Sequence, residues 1–271
     1  TMPAPRGDEL TVTKVSVSAY EDLRRCPYRF FALRQLRLQE SEELEGELDK
    51  RDFGNWLHTL LKYFHEDLKA SPASDLAARH GLINNAADKA TAELGLSKSE
   101  FLPFAAAWPR VRAGYLDWLQ GHEATGARFD QAEVWKDMPL GPVTLIGKLD
   151  RIDHDTASGA VVMDYKTESG TTTRDRINDP LEDTQLAFYA ALLHDDTLAA
   201  AYVNISEKET KTYAQTDVVQ LRDDLVAGIL DDMNRLAQGA PLPAMGEGKA
   251  CEFCAARGLC QFAHQAVALG I

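Results

Sequence analysis

The sequence predicts a mixed α/β fold: a central mixed β-sheet flanked by helices, with a largely helical region before it. Three observations carry this reading. Apolar residues recur at helical spacing through most of the first 125 positions. From about residue 130, short alternating or apolar runs separated by Gly, Pro, Asp and Ser take over. A long helical pattern then returns after residue 217. Helices, then strands, then helices is the order of a sheet with helical cover.

The elements follow in turn. Residues 18–36 have helical periodicity, with Ser18 as the expected N-cap, Glu21 completing a capping box and Pro27 interrupting the helix. Residues 39–52 hold seven acids against Lys50 and Arg51 and read as a solvated, mobile loop. Further helices are expected at 53–69, 75–95 and 99–121, with Pro103 and Pro109 marking breaks or first turns. Strands are expected at 132–138, 143–153 and 160–166 as a meander. A short helix at 183–193, strands at 199–205 and 211–217 and a long helix at 218–238 complete the core. A Pro/Gly linker at 239–249 leads to a short tail rich in cysteine. Residues 1–15 read as a flexible leader and 16–271 as one domain. Its parts are a helical region (16–125), a sheet core (130–217) and a C-terminal helix with the Cys-rich segment (218–271).

Composition narrows the function. With 42 acidic and 29 basic residues the formal charge is −13, which read alone argues against a polyanionic partner. It does not exclude one, because the field at a site matters more than the sum. No run of 18 apolar residues exists, so no membrane-spanning helix and no membrane partner are expected. The first residues lack the apolar core of a signal peptide, which points to a cytoplasmic, reducing compartment. Four cysteines are too few for a disulfide scaffold and read as free thiols or metal ligands.

The chemistry concentrates on two predicted strands. Asp164 and Lys166 are two apart, so they share one face while Met163 and Tyr165 share the other. Asp150, near the end of the preceding strand, reaches the same place if the two strands are antiparallel. Two carboxylates with the Tyr165 carbonyl make an oxygen-rich site for Mg²⁺. Lys166 beside it can orient or deprotonate an attacking water, the chemistry of phosphodiester hydrolysis. Taken alone, this is also the pattern of an ion pair on a solvated strand. Cys251, Cys254 and Cys260, with Cys26 far upstream, suit a four-thiolate zinc site or a [4Fe–4S] cluster.

Four segments in order carry a resemblance. They are Gly54-Asn55-Trp56-Leu57-His58, Gly147-Lys148-Leu149-Asp150, Asp164-Tyr165-Lys166 and Gln185-Leu186-Ala187-Phe188-Tyr189. The sequence resembles the PD-(D/E)XK nuclease superfamily, in its RecB-like branch. That implies a restriction-endonuclease-like core in which His58, Asp150, Asp164 and the Tyr165 carbonyl hold Mg²⁺ or Mn²⁺. Lys166 would assist the water. Gln185 and Tyr189 would contact the DNA strand or position the lysine, and Glu133 would support the site. Glu168 stands where relatives often have glycine. The one-plus-three cysteine arrangement, with Cys26-Pro27-Tyr28-Arg29-Phe30-Phe31, resembles the nuclease domain of AddB-type helicase–nucleases. It implies a [4Fe–4S] staple on Cys26, Cys251, Cys254 and Cys260, a single-stranded DNA end as substrate and a helicase domain or subunit as partner. No phosphate loop is present, so ATPase function is not expected from this chain. Arg24, Arg25, Arg29, Arg34, Arg37, Arg174 and Arg176 are the expected strand contacts. The other readings are a non-catalytic iron–sulfur DNA-binding scaffold, a stand-alone CRISPR-associated-type nuclease and a zinc-stapled docking module.

Overall fold

A computed structural model describes residues 4–38, 50–73, 75–155, 159–193, 198–245, 249–252 and 254–260. The chain divides into two compact units. One comprises residues 1–44, 137–147 and 223–271, the other residues 45–136 and 148–222.

In the first unit, β1 (Lys14–Ser16) pairs in parallel with residues 144–146. Helix α1 (Val17–Arg25) follows, capped by Ser16, whose hydroxyl accepts from Ala19 N at 3.2 Å. The expected cap at Ser18 is therefore two residues late: Ser16 has the extended backbone a cap needs, and Ser18 is already helical. Cys26 is extended and ends α1. Pro27 then opens the short α2 (Pro27–Arg29), where its missing N–H costs nothing, and a π-helical turn spans Phe30–Gln35. The buried carboxylate of Asp22 receives Arg29 at 2.8 Å and Arg34 at 2.7 Å. These two arginines, expected to meet a DNA strand, pair with a carboxylate of the protein itself. The acidic stretch at 39–49 lies outside the described residues, while residues 50–52 belong to a helix rather than to the expected loop.

The second unit carries three long helices, α3 (Lys50–Ala70), α4 (Leu76–Glu93) and α5 (Lys98–Ala124). Leu57, Leu60, Leu61 and Phe64 of α3 repeat at i, i+3, i+4, i+7 and are buried. They pack with Ile83, Ala86, Val111 and Tyr115, and with Met163, Tyr165 and Val203 of the sheet. Helix α5 runs through Pro103 and Pro109 without the expected break. At Pro109 the carbonyl left without a donor is that of Ala105, and both residues are exposed, so water can satisfy it.

Strands β2 (Arg128–Leu140) and β3 (Val143–Asp155) run from one unit into the other. In the second unit, β3 lies antiparallel to β4 (Gly159–Lys166), with Arg151 opposite Met163. Strand β4 is parallel to β5 (Ala199–Ile205), with Asp164 opposite Tyr202. Strand β5 is antiparallel to β6 (Thr210–Gln215), and β2 pairs with β3. The sheet is mixed, as expected. A parallel pair needs a crossover, and here it holds two helices, α6 (Gly170–Asn178) and α7 (Gln185–Leu193). Helix α6 has no counterpart in the sequence reading. Its residues are mostly polar, so no apolar period marks it; the one local signal is Ser169, which caps Thr172 N at 3.1 Å. Helix α8 (Val218–Ala237) and the short α9 (Lys249–Glu252) and α10 (Arg257–Cys260) close the described chain.

A buried polar network fixes the back of β4. Arg151 is 1% exposed and forks onto Asp153 at 2.7 and 2.8 Å. Its Nη1 donates to Nε2 of His65 (2.8 Å) and to the Tyr115 hydroxyl (3.1 Å), and Tyr115 is 3.0 Å from the Tyr165 hydroxyl. Nε2 of His65 must be unprotonated to accept from a guanidinium. Burial, and then the Arg151 charge, accordingly hold the His65 pKa well below its ordinary value. The unfolded chain binds a proton at His65 below about pH 6.5 while the folded chain does not, so stability is lost as pH falls through that region. Urea titrations from pH 7.5 to 5 are expected to show a loss of up to about 1.4 kcal/mol per pH unit from this group. The slope should be shallower in His65→Gln, and equal slopes would contradict the assignment.

Candidate active site

The antiparallel register that sets Arg151 opposite Met163 makes Asp150 and Asp164 the next facing pair. Both are buried, with Asp150 7% and Asp164 1% exposed. The Tyr165 N–H donates to Oδ2 of Asp150 at 2.9 Å. Helix α3 brings His58, one residue past the buried Leu57, to the same place. Its Nδ1 lies 3.2 Å from Oε1 of Glu133 and 3.4 Å from Oδ2 of Asp150. Glu133 reaches inward from β2 with φ of 50°, a left-handed backbone that a side chain with a Cβ adopts at a cost of about 1 kcal/mol. Lys148 pairs with its other oxygen. His58, Glu133 and Asp150 each offer a ligand atom within 4.8 Å of the others.

Asp164 stands beside this triad and is held by a second set of groups. Gln185 on α7 donates from Nε2 to Oδ1 of Asp164 (2.6 Å) and to the Tyr189 hydroxyl (3.0 Å). Its Oε1 accepts from Lys166 Nζ at 2.7 Å. Lys166 Nζ also lies 2.7 Å from Oδ2 of Asp164 and 4.9 Å from the centre of the Tyr202 ring. The lysine is thus oriented on three sides. Gln185 touches Lys166 and Asp164 directly, and Tyr189, four residues on along the same helix, touches Gln185.

The electrostatics match a site short of positive charge. Burial, then the Asp150 carboxylate, push the Asp164 pKa up to about 7 against the pull of Lys166. Burial would raise Asp150 too, but His58, the Tyr165 N–H and Lys166 outweigh it and the pKa falls. Burial disfavours the His58 imidazolium, yet Asp150 and Glu133 overcome that and raise its pKa well above the ordinary value. Burial likewise opposes the Lys166 ammonium, which Asp164 and Asp150 more than restore. Oδ2 of Asp164 is buried and makes no hydrogen bond among the described residues, although Lys166 Nζ lies 2.7 Å away as an ion-pair partner. The imidazole of His58 and the carboxylates of Glu133 and Asp150, with the Asp164 oxygen beside them, are groups that could hold a divalent cation.

Several groups here escaped the sequence reading. Tyr202 donates to Asp183, Arg176 pairs with the same carboxylate, and Arg176 also forks onto Glu168 at 2.6 and 2.9 Å. Glu168 is therefore the anchor of the loop after β4, and Arg176 is not free to meet a strand. Gly54 opens the segment that ends at His58. A Cβ there would meet only Thr167 Oγ1, at an ordinary 3.7 Å, so no tight contact requires glycine.

A family model for the PD-(D/E)XK nuclease superfamily matches residues 14–261. The chain belongs to this superfamily. Its mixed sheet with flanking helices is that of a PD-(D/E)XK nuclease, and such nucleases use divalent metals and act on DNA. Among solved structures, this PD-(D/E)XK chain is similar to one named "Putative exonuclease" from Eubacterium rectale. Identity is 14%, coverage is 88% of this chain and 86% of that one, and the TM-score is 0.46. It is also similar to a structure of SSO0001, with 16% identity, coverage of 92% and 85%, and a TM-score of 0.36. No curated protein matches. Among the described residues no helix is long and apolar enough to cross a membrane.

If Gln185 positions Lys166, Gln185→Ala is expected to lower kcat on DNA by about 10- to 100-fold. KM should stay within about twofold, since the lost contacts are internal. A raised KM with unchanged kcat would instead make Gln185 a strand contact.

Proposed function

We propose that this chain is a Mg²⁺- or Mn²⁺-dependent deoxyribonuclease that degrades single-stranded ends as an exonuclease. The observation that carries the reading is the buried Asp164 Oδ2, without a hydrogen bond, next to the His58–Glu133–Asp150 triad. His58, Asp150, Asp164 and the Tyr165 carbonyl would hold the cation, with Glu133 as a further carboxylate. A bound ion there supplies a polarised phosphoryl oxygen and a more acidic water. Lys166, kept protonated by Asp164 and Asp150, orients that water through a fixed Nζ. Gln185, itself bonded to the Tyr189 hydroxyl, holds Asp164 and Lys166 in register. Glu133, Asp150 and Asp164 face Lys148, Lys166 and the His58 imidazolium, so an entering cation would take the place of the His58 proton. The test is digestion of end-labelled single strands with Mg²⁺, with Mn²⁺ and with EDTA. Metal-dependent shortening supports the reading; binding without cleavage in either metal favours the scaffold.

The four cysteines belong to the first unit, and we propose that they hold a [4Fe–4S] cluster. Cys26, Cys254 and Cys260 share one apolar cluster with Tyr28, Ala32 and Ala256. Burial, and then the proximity of Cys26, Cys254 and Cys260, raise the Cys251 thiol. Three thiols in one cluster, with Cys251 near enough to feel them, support a four-thiolate group, which would staple the first helices to the last segment. Protein purified without oxygen is expected to be brown, with iron and sulfide in equal amounts. Cys26→Ser should lose the colour and several degrees of Tm. Colourless protein with one zinc per chain would overturn the cluster. A helicase partner in the cytoplasm, and a role in end processing and recombinational repair, rest on the resemblance of the cysteine arrangement to AddB-type nucleases.

A further inference from the structure

A groove of about 690 Å³ opens directly beyond Lys166. Its floor is Thr167, Glu168 and Ser169, the segment that leaves β4 after the lysine and caps α6. Phe53, Phe104 and Tyr213 supply aromatic surface around it. The rings of Phe53 and Phe104 lie 5.0 Å apart, and Phe104 rests on Phe101 at 5.9 Å. The Tyr213 hydroxyl lies close over Gly170, where an added Cβ would come within 2.9 Å of it. None of His58, Glu133, Asp150 and Asp164 lines the groove, so it is distinct from the proposed cation site, and the chain joins the two where Lys166 is followed by Thr167.

The charges in the groove sort into spent and unspent. Glu168 is neutralised by the fork from Arg176, and Glu207 faces Arg110 at 3.7 Å. Arg174 and Lys208 line the groove and have no carboxylate partner among the described residues. Glu209 is the one acid left to oppose them. Aromatic faces beside two uncommitted cations fit a ligand with a flat apolar part and an anionic part, and the volume suits a ligand of nucleotide size. A base offers its face only when it is unstacked, as in a single strand.

We infer that this groove binds the nucleotide next to the scissile phosphate. Its base stacks among Phe104, Phe53 and Tyr213, its phosphate meets Arg174 and Lys208, and the enzyme thereby selects unpaired DNA. This inference rests on the nuclease reading above. It is tested with the full chain, using single-stranded and duplex oligonucleotides and the base-free substrate bis(p-nitrophenyl) phosphate. Base–aromatic stacking contributes about 1–3 kcal/mol. Phe104→Ala is therefore expected to raise KM for single strands by about 5- to 150-fold, with hydrolysis of the base-free diester unchanged. Because Phe104 also packs on Phe53 and Phe101, a surface variant keeps the test independent of folding. Arg174→Ala/Lys208→Ala should flatten the log–log salt dependence of single-strand binding by about 1.4. A KM within twofold of wild type in Phe104→Ala, or an unchanged salt slope in the double variant, would overturn the inference. Equal losses on duplex and single strand would overturn the selection of unpaired DNA. If wild type hydrolyses neither oligonucleotide nor diester, the nuclease reading itself fails instead.

Discussion

Asp164→Asn is expected to lower the rate of DNA cleavage by about a thousandfold while making the metal-free protein more stable. The loss follows from the several kcal/mol that a correctly held cation contributes to the transition state. The gain has a separate cause. Burial and the Asp150 charge raise the Asp164 pKa to about 7, so the folded metal-free chain carries this carboxylate at a penalty. The sign follows from linkage. A carboxyl whose folded pKa lies above its unfolded one destabilises the fold as pH rises from the unfolded value, and the full penalty is present above the folded one. The amide keeps the shape without the charge, at the expense of the Lys166 ion pair. At pH 8 the variant should therefore be more stable by an amount on the order of 1 kcal/mol or more. Adding Mn²⁺ should then stabilise wild type and leave the variant largely unmoved. A variant less stable than wild type at pH 8 would show that Asp164 is a structural ion-pair partner rather than a ligand held ready.

The second large effect lies behind the strand. Arg151→Met should destabilise the second unit by about 3–5 kcal/mol, because it leaves the Asp153 carboxylate buried with His122, at 2.8 Å, as its one remaining side-chain partner among the described residues. Arg151 also lies between the faces of Trp118 and Phe129, at 5.7 and 5.5 Å, so packing goes with the charge. The double variant Arg151→Met/Asp153→Leu should recover much of that loss, since two apolar groups of similar size leave no stranded charge. Chemical denaturation measures both. A loss under about 1 kcal/mol in the single variant would mean that water reaches this network.

What could be read from the sequence had a local or periodic signature. The strands carrying Asp150 and Asp164 alternate or run apolar and are bounded by turn residues, and period two then puts Asp164 and Lys166 on one face. Helix α3 was legible from Leu57, Leu60, Leu61 and Phe64, and His58 came with it. The site residues of four separated segments meet in the second unit because of this. What escaped lacked such a signature. Helix α6 has no apolar period, and its cap is a single serine. The Arg151–Asp153–His65–Tyr115 network joins α3, α5 and β3, and no spacing along one element announces it. The arginines read as DNA contacts divide by partners that only the fold supplies: Arg29 and Arg34 go to Asp22, Arg176 goes to Glu168 and Asp183, and Arg174 stays uncommitted.

The central claim is that Asp150 and Asp164, with His58 beside them, form one cation site. Anomalous diffraction from crystals soaked in Mn²⁺ tests it most directly. The account predicts a peak within about 2.5 Å of an oxygen of both Asp150 and Asp164, absent in Asp164→Asn. A peak bound elsewhere, or one that persists unchanged in Asp164→Asn, would contradict it.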